Sequence, residues 1–352
     1  MTALQSVTGV RAARVRRTHR GVGGGVAPRI TSHGAARAGR SAGAILAQAA
    51  VVLLLASFLT FALGAASGSD PAAVALGDMA TPEDVARLNA EFGLDRPFLE
   101  RYVAWLAQAL TGDLGRSWFT GIPVSQSIGA ALPVSLSIAA GATLVALLLG
   151  GVTGVVAAVR RGTWIDRAVT AGNAALATIP AFVAGIVLIL LFAYAIPLFP
   201  VGGYVPPQVS VAAWLGCLVL PALALSLDAA ADLSRQLRTS LVGALDENYI
   251  IGARVHGLGG ARIVWGHALP NALGPALATL GVHVPRLVGG AVITEAVFGM
   301  PGLGRLARTS AVQGDVPVVQ GVLLVSAAIV VVSGIVVNLV LARVSPTERS
   351  AA

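Results

Sequence analysis

Four stretches of this chain carry no charged side chain for longer than the ~20 apolar residues a helix needs to cross a bilayer. They are 41–69, 117–159, 168–227 and 316–342, and a further run from Ile263 is interrupted only by Arg286 before Glu295. Lipid offers the backbone no hydrogen-bond partners, so segments of this length must bond internally as helices. Only 11% of the 352 residues are charged, where a soluble domain carries about 25%. The chain therefore reads as an all-α polytopic membrane protein.

The longest run must break. AIPLFPVGGYVPPQ (195–208) packs four prolines beside a Gly-Gly pair, residues that end helices and shape loops. Six spans follow, at about 43–64, 132–159, 168–196, 211–236, 271–297 and 316–342. Around them the reading places a disordered arm (1–42), a loop with its own helices (65–131), a core (132–343) containing the long connection 237–270, and a short tail (344–352).

Every basic residue is arginine. Arg160, Arg161 and Arg167 lie between spans two and three; Arg235, Arg238, Arg254 and Arg262 between four and five; Arg343 and Arg349 after span six; eight more precede span one. All these regions share one side, which the positive-inside rule makes cytoplasmic, with both termini. The opposite side holds the mixed-charge segment from Asp70 to Arg116. There Thr81 is placed to cap a helix with Pro82 at its first position. Val85, Leu88 and Phe92, then Leu99, Val103, Leu106 and Leu110, recur at helical spacing. Two amphipathic helices on the outer membrane surface are expected, either closing the rim or docking a partner. The arginine-rich, acid-free arm is expected to be disordered. It is either attracted to anionic lipid or an over-long gene start, and it carries no assigned function.

The chemistry begins with an exclusion. The chain has no lysine, so it cannot supply the GxxxxGK phosphate loop of an ATPase. One cysteine, Cys217, allows neither a disulfide within the chain nor a multi-cysteine metal site. No Ser/His/Asp grouping is suggested by spacing. No catalytic residue, resident metal or cofactor is assigned, no nucleic-acid partner is expected, and the chain reads as a transport subunit rather than an enzyme.

Between spans four and five stands DENYIIGARVHGLGGARIVWGHALPNALGP (246–275). Gly257, nine residues, then His267-Ala268-Leu269-Pro270 resembles the EAA-x3-G-x9-I-x-LP signature of ABC importer permeases. Asp246–Leu258 is similar to the branch that imports dipeptides, oligopeptides or nickel. So are LNAEFGLDRPFLERYVAWL, TGDLGRS (111–117), TEAVFGMPGLGRLA (294–307) and DVPVVQG (315–321). The resemblance covers roughly 43–349. It implies a type I ABC importer permease fold of six spans, with an extracytoplasmic helical loop after the first. It also implies a second permease as heterodimer partner, two ATPase subunits that bind ATP-Mg, and an extracytoplasmic binding protein that delivers peptides, nickel or another small solute. Within it, Glu247, Tyr249, Arg254 and Leu258 match the branch pattern and are expected to dock the ATPase. Ala253 allows close approach, Gly257 turns the chain, and His267, Leu269 and Pro270 lead into span five.

The departures are as informative. Ile251-Gly252-Ala253 keeps only the last alanine of the EAA triplet, His267 replaces its isoleucine, and His256 stands where the branch has lysine. Asp228 and Asp232 in span four sit where the branch is normally apolar, and Pro285-Arg286 in span five is also unusual for it. A charge near the bilayer centre costs about 2.5–3.5 kcal/mol, so these should face inward. Asp228 and Arg286 are expected either to pair or to meet a peptide's charged ends along the translocation path, while Asp232 and Arg235 form a helix-surface pair. His267 and His283 make a poor metal set and read as structural. Glu295 is placed on the path, and Pro301, Gly302, Gly304 and Arg305 at an outer gating turn. The rival reading is a stand-alone transporter moving protons on Asp228, Asp232 and Glu295.

Overall fold

The structure, a computed structural model, describes residues 33–66, 70–77 and 80–344. All regular elements among them are helices: α1 (His33–Ala66), α2 (Pro71–Leu76), α3 (Pro82–Glu91), α4 (Phe98–Leu110), α5 (Val124–Val159), α6 (Trp164–Thr178), α7 (Ala181–Ile189), α8 (Val211–Leu245), α9 (Asn248–Val255), α10 (Gly260–Ile263), α11 (Leu269–Val297), α12 (Leu303–Gln313) and α13 (Val316–Val344). The chain divides into two compact units, Met1–Gln48 and Ala49–Ala352. Most of the arm, 1–32, lies outside the described residues. From His33 the Ala- and Arg-rich sequence is helical rather than disordered, as strong helix formers leading into an apolar run permit.

Among the described residues, five helices are long and apolar enough to cross a membrane, and a sixth candidate is broken. That broken span is α6 with α7, bent by 102°. Pro180 is the cause. It disfavours helical backbone at the residue before it, and Ile179 accordingly takes φ −84, ψ 117. A continuous third span over 168–196 is thus corrected to two half-helices, the second passing into a π-helical turn at Leu190–Ala195.

Two spans outrun their apolar stretches. α5 starts at Val124 rather than near 132, because Val124, Ile128 and Ala131 form a buried stripe against Val318 and Val322 of α13. α8 continues to Leu245 rather than 236, with Leu237 and Leu241 buried. In both cases tertiary packing extends a helix past the point where hydropathy falls.

The core lies where α5 runs along α8. An added Cβ at Gly150 would sit 2.6 Å from the Ala230 carbonyl oxygen, and one at Gly154 2.9 Å from that of Ser234. This Gly-x3-Gly stripe lets two backbones approach where lipid provides no hydrophobic drive between helices. Thr153 donates to Ser234 Oγ at 2.9 Å and Asn173 of α6 donates to the same atom at 2.7 Å, adding polar attachment at the seam.

In the α1–α5 connection, Thr81 accepts from Asp84 N and caps α3 as expected. The packing face of α4 differs from expectation. Leu99, Val103 and Leu110 are exposed, whereas Tyr102 and Trp105 are buried with Phe61. Tyr102 and Ser57 of α1 share a hydrogen bond at 2.9 Å; the Phe58 and Phe61 rings pack against Tyr102, and Phe98 packs against both of those rings. Aromatic bulk and a hydroxyl partner decide which of two apolar stripes packs inward.

Candidate functional site

The α8–α11 connection is a rigid bracket. α9 ends at Val255, and Gly257 follows with φ +79, the left-handed conformation that glycine adopts without cost. Gly257 N donates to Arg254 O at 2.9 Å and Leu258 N to Ala253 O at 3.2 Å, the paired bonds of a Schellman stop. Ile250 and Ile263 are buried, and Ala253 and Leu258 pack against the same core. Leu258 therefore fastens α9 to the bundle and is not part of an outward docking face. Glu247, Tyr249 and Arg254 do face outward.

Three exposed apolar residues join them that motif matching did not single out: Ile251, Val255 and Trp265. The signal for two was present, since Ile251 and Val255 stand four apart on a helix whose other face carries Ile250. After α10 the chain widens into a π-turn over Val264–Ala268, with Leu269 N bonded to Val264 O. Pro270 explains it: the ring cannot donate and would crowd the carbonyl four residues back. His267 accepts from Asn271 through its carbonyl at 2.9 Å, and Asn271 also reaches the Tyr249 hydroxyl at 3.0 Å, tying α9 to the start of α11. Leu269 packs against the core while Pro270 stays exposed.

The charges in the middle of the bundle pair differently from expectation. Asp228 is the midpoint of α8 and His283 the midpoint of α11. His283, 5% exposed, lies between two carboxylates: Nε2 is 3.1 Å from Asp232 and Nδ1 is 3.7 Å from Asp228. Only the shorter contact is a hydrogen bond. Asp232 also binds Arg235 at 2.7 Å, the helix-surface pair foreseen. Asp228 and Arg286 form no ion pair. Asp228 keeps 60% of its side chain exposed, and no carboxylate among the described residues lies within 4.0 Å of Arg286. Both line one cavity of about 470 Å³, walled also by Thr178, Ile179 and Pro180 at the α6–α7 break.

An ion pair that sequence reasoning missed holds α6 to α8. Arg238 clamps Asp166 through Nε at 2.6 Å and a second nitrogen at 2.7 Å, and Asp166 also accepts from Gly162 N. The partners are 72 residues apart, and no local pattern joins them.

At the other end of α11, Glu295 is fully buried. Ser135 Oγ donates to its Oε1 at 2.5 Å; Gly304 N and Arg305 N donate to Oε2 at 2.8 and 3.2 Å. Its carboxylate thus binds the first turn of α12, where the helix dipole favours negative charge. Placed so, Glu295 presents no surface to a path, contrary to expectation. An added Cβ at Gly302 would land on that carboxyl, and one at Gly304 on the Val292 backbone, so the turn closes only with glycine at both places. Arg305 donates to Gly299 O at 3.2 Å, and Pro301 is exposed. Nearby, Asp315 accepts from Ser117 Oγ at 2.5 Å and Trp118 N at 3.2 Å, joining the TGDLGRS and DVPVVQG motifs. Burial pushes the Asp315 carboxyl above its ordinary range.

Residues 150–350 match the family described as binding-protein-dependent transport system inner membrane component, and 44–139 match its N-terminal companion. A putative peptide transport system permease protein of Brucella abortus (strain 2308) is 36% identical, over 86% of this chain and 97% of that protein. The oligopeptide transport system permease protein AppB of Bacillus subtilis is 32% identical, covering 84% and 94%. The metal-staphylopine import system permease protein CntB of Staphylococcus aureus is 28% identical, covering 86% and 95%. Among solved structures, an inward-facing MetNI methionine ABC transporter chain superposes with TM-score 0.51 at 20% identity, covering 62% of this chain and 95% of that one, a likeness of fold.

Proposed function

Because the chain belongs to the family of binding-protein-dependent transport system inner membrane components, we propose that it forms half of a peptide-conducting path driven by ATP hydrolysis on other subunits. In this reading a second permease completes the path, two ATPase subunits bind ATP-Mg, and a binding protein delivers di- or oligopeptides from outside. Both termini and α9 lie on the cytoplasmic side, in line with the distribution of arginine.

The observation that carries the reading is the construction of α9. It is a short helix stopped by Gly257, bolted to the bundle through Ile250, Ala253 and Leu258, with Ile251 and Val255 bare on the opposite face. A rigid lever with an apolar outer face transmits a push; a solvated loop would absorb it. Asn271, which bonds Tyr249, carries the movement to α11.

Reconstitution with the partner subunits tests this. Peptide uptake should require ATP and both ATPases, and Val255→Asp should abolish uptake and ATPase attachment together while the bundle stays folded. Uptake by the chain alone, driven by a pH gradient, would establish instead the proton-coupled reading. A metal-chelate cargo is the second reading, motivated by the similarity to the metal-staphylopine import system permease protein CntB. Competition between a peptide and a metal chelate for uptake separates the two.

A further inference from the structure

We propose that the cavity beside the α6–α7 break is a cargo subsite, in which Arg286 holds a free carboxylate and Asp228 a free amino group. The permease itself would then select short peptides with both ends free. The inference rests on the reading of this chain as an importer path and names what that path recognises.

Three observations lead to it. First, the fold builds tight ion pairs elsewhere: Arg238 and Asp166 meet at 2.6 Å between neighbouring helices. Asp228 and Arg286 share a cavity wall yet do not meet, so both charges stay available. Second, the neighbouring charges are committed. Asp232 is taken by Arg235 and His283, and His283 is buried behind Asp228 with its Nε2 engaged. Asp228 alone among these carboxylates stays open, 60% exposed at the midpoint of a spanning helix. A charge at that depth costs about 2.5–3.5 kcal/mol unless water or a partner receives it.

Third, the chamber suits a small solute. Its volume, about 470 Å³, falls within the ~300–1,000 Å³ of small-molecule sites. The remaining wall is mostly apolar, with Ile179, Pro180, Leu225 and Leu287, and its other polar residues are Thr178 and the buried His283. The fixed charges would therefore read what all linear peptides share, their two ends, while the apolar wall accepts varied side chains. A guanidinium suits the carboxylate end because its planar fork matches a carboxylate with two parallel bonds.

The test uses the full transporter in vesicles and trialanine in three forms: free, C-terminally amidated and N-terminally acetylated. Each variant is compared with wild type form by form, which cancels the preferences of the binding protein. Arg286→Gln should lower kcat/KM for the free and acetylated forms by about tenfold, as loss of a charge-assisted carboxylate contact implies, and leave the amidated form within about twofold. Asp228→Asn should show the mirror pattern, sparing the acetylated form. Arg286→Lys keeps the charge without the fork and should give a smaller loss confined to forms with a free carboxylate, which decides the matter if Arg286→Gln fails to assemble. Equal slowing of all three forms would overturn the subsite and assign both charges to the fold or to the second permease. A wild-type transporter that moves none of the three would overturn the subsite and the peptide reading together.

Discussion

Glu295 at the α11–α12 turn and Asp228 at the centre of α8 are both carboxylates in long apolar helices, and their surroundings are opposite. Glu295 is fully buried, with one oxygen taken by Ser135 and the other by two backbone N–H groups of α12. Asp228 is 60% exposed beside a cavity, and among the described residues the ionisable group within 4.0 Å of it is a histidine at 3.7 Å. The first is a fastener whose bonding capacity is used within the fold. The second keeps its capacity for something from outside. Within one bundle, the number of fixed partners around a charge separates the groups that hold the structure from the groups free to act.

That contrast yields a graded set of expectations. The largest effect falls on Glu295→Ala, which strips the acceptor from Ser135, Gly304 and Arg305 at once. Each buried donor left unpaired costs about 1–3 kcal/mol, so thermal unfolding in detergent should show a loss on the order of 3 kcal/mol or more. A variant as stable as wild type would break the distinction. Gly302→Ala comes next, because its methyl would collide with the same carboxyl; an overpacking cost of about 1–3 kcal/mol is expected in the same assay.

Asp315 sharpens the comparison through pH. Burial raises its carboxyl above 3.8, so its ionised form is disfavoured in the folded state. Its contribution is fully present below pH 3.8 and falls as pH rises through the elevated folded value. Asp315→Asn should remove that decline, so the difference in Tm should shift in the variant's favour as pH climbs above 3.8. A difference that is flat with pH would contradict the burial argument. The smallest stability effect belongs to Asp228→Asn, under about 1 kcal/mol for a largely exposed charge, with its consequence seen in transport. If its unfolding shift matched that of Glu295→Ala, the two carboxylates would not be different in kind.

Much of this was legible beforehand. Charge-free runs place the spans, Thr81 caps α3, and Gly257 turns the chain because only a left-handed residue allows a helix to stop so sharply. Asp232 and Arg235 pair as their spacing of three predicts. The helix ends at Val124 and Leu245 escaped, since packing rather than hydropathy extends them. So did part of the outer face of α9: of Glu247, Tyr249, Arg254 and Leu258, which motif matching pointed to, Leu258 packs against the core, while Ile251 and Val255 are exposed.

The amino-acid order alone therefore determined what depends on neighbours along the chain: length and polarity of each span, helix stops, turns, and pairs three or four residues apart. The three-dimensional packing decided which distant groups meet. Ser117 finds Asp315 across 198 positions, Ser135 finds Glu295 across 160, and Asp228 faces His283 rather than Arg286. The reason is geometric. A side chain's partner across a helix interface depends on how each helix is rotated about its axis and slid along its neighbour, and those quantities are set by close contacts such as Gly150 and Gly154 against α8, which no single stretch of sequence contains.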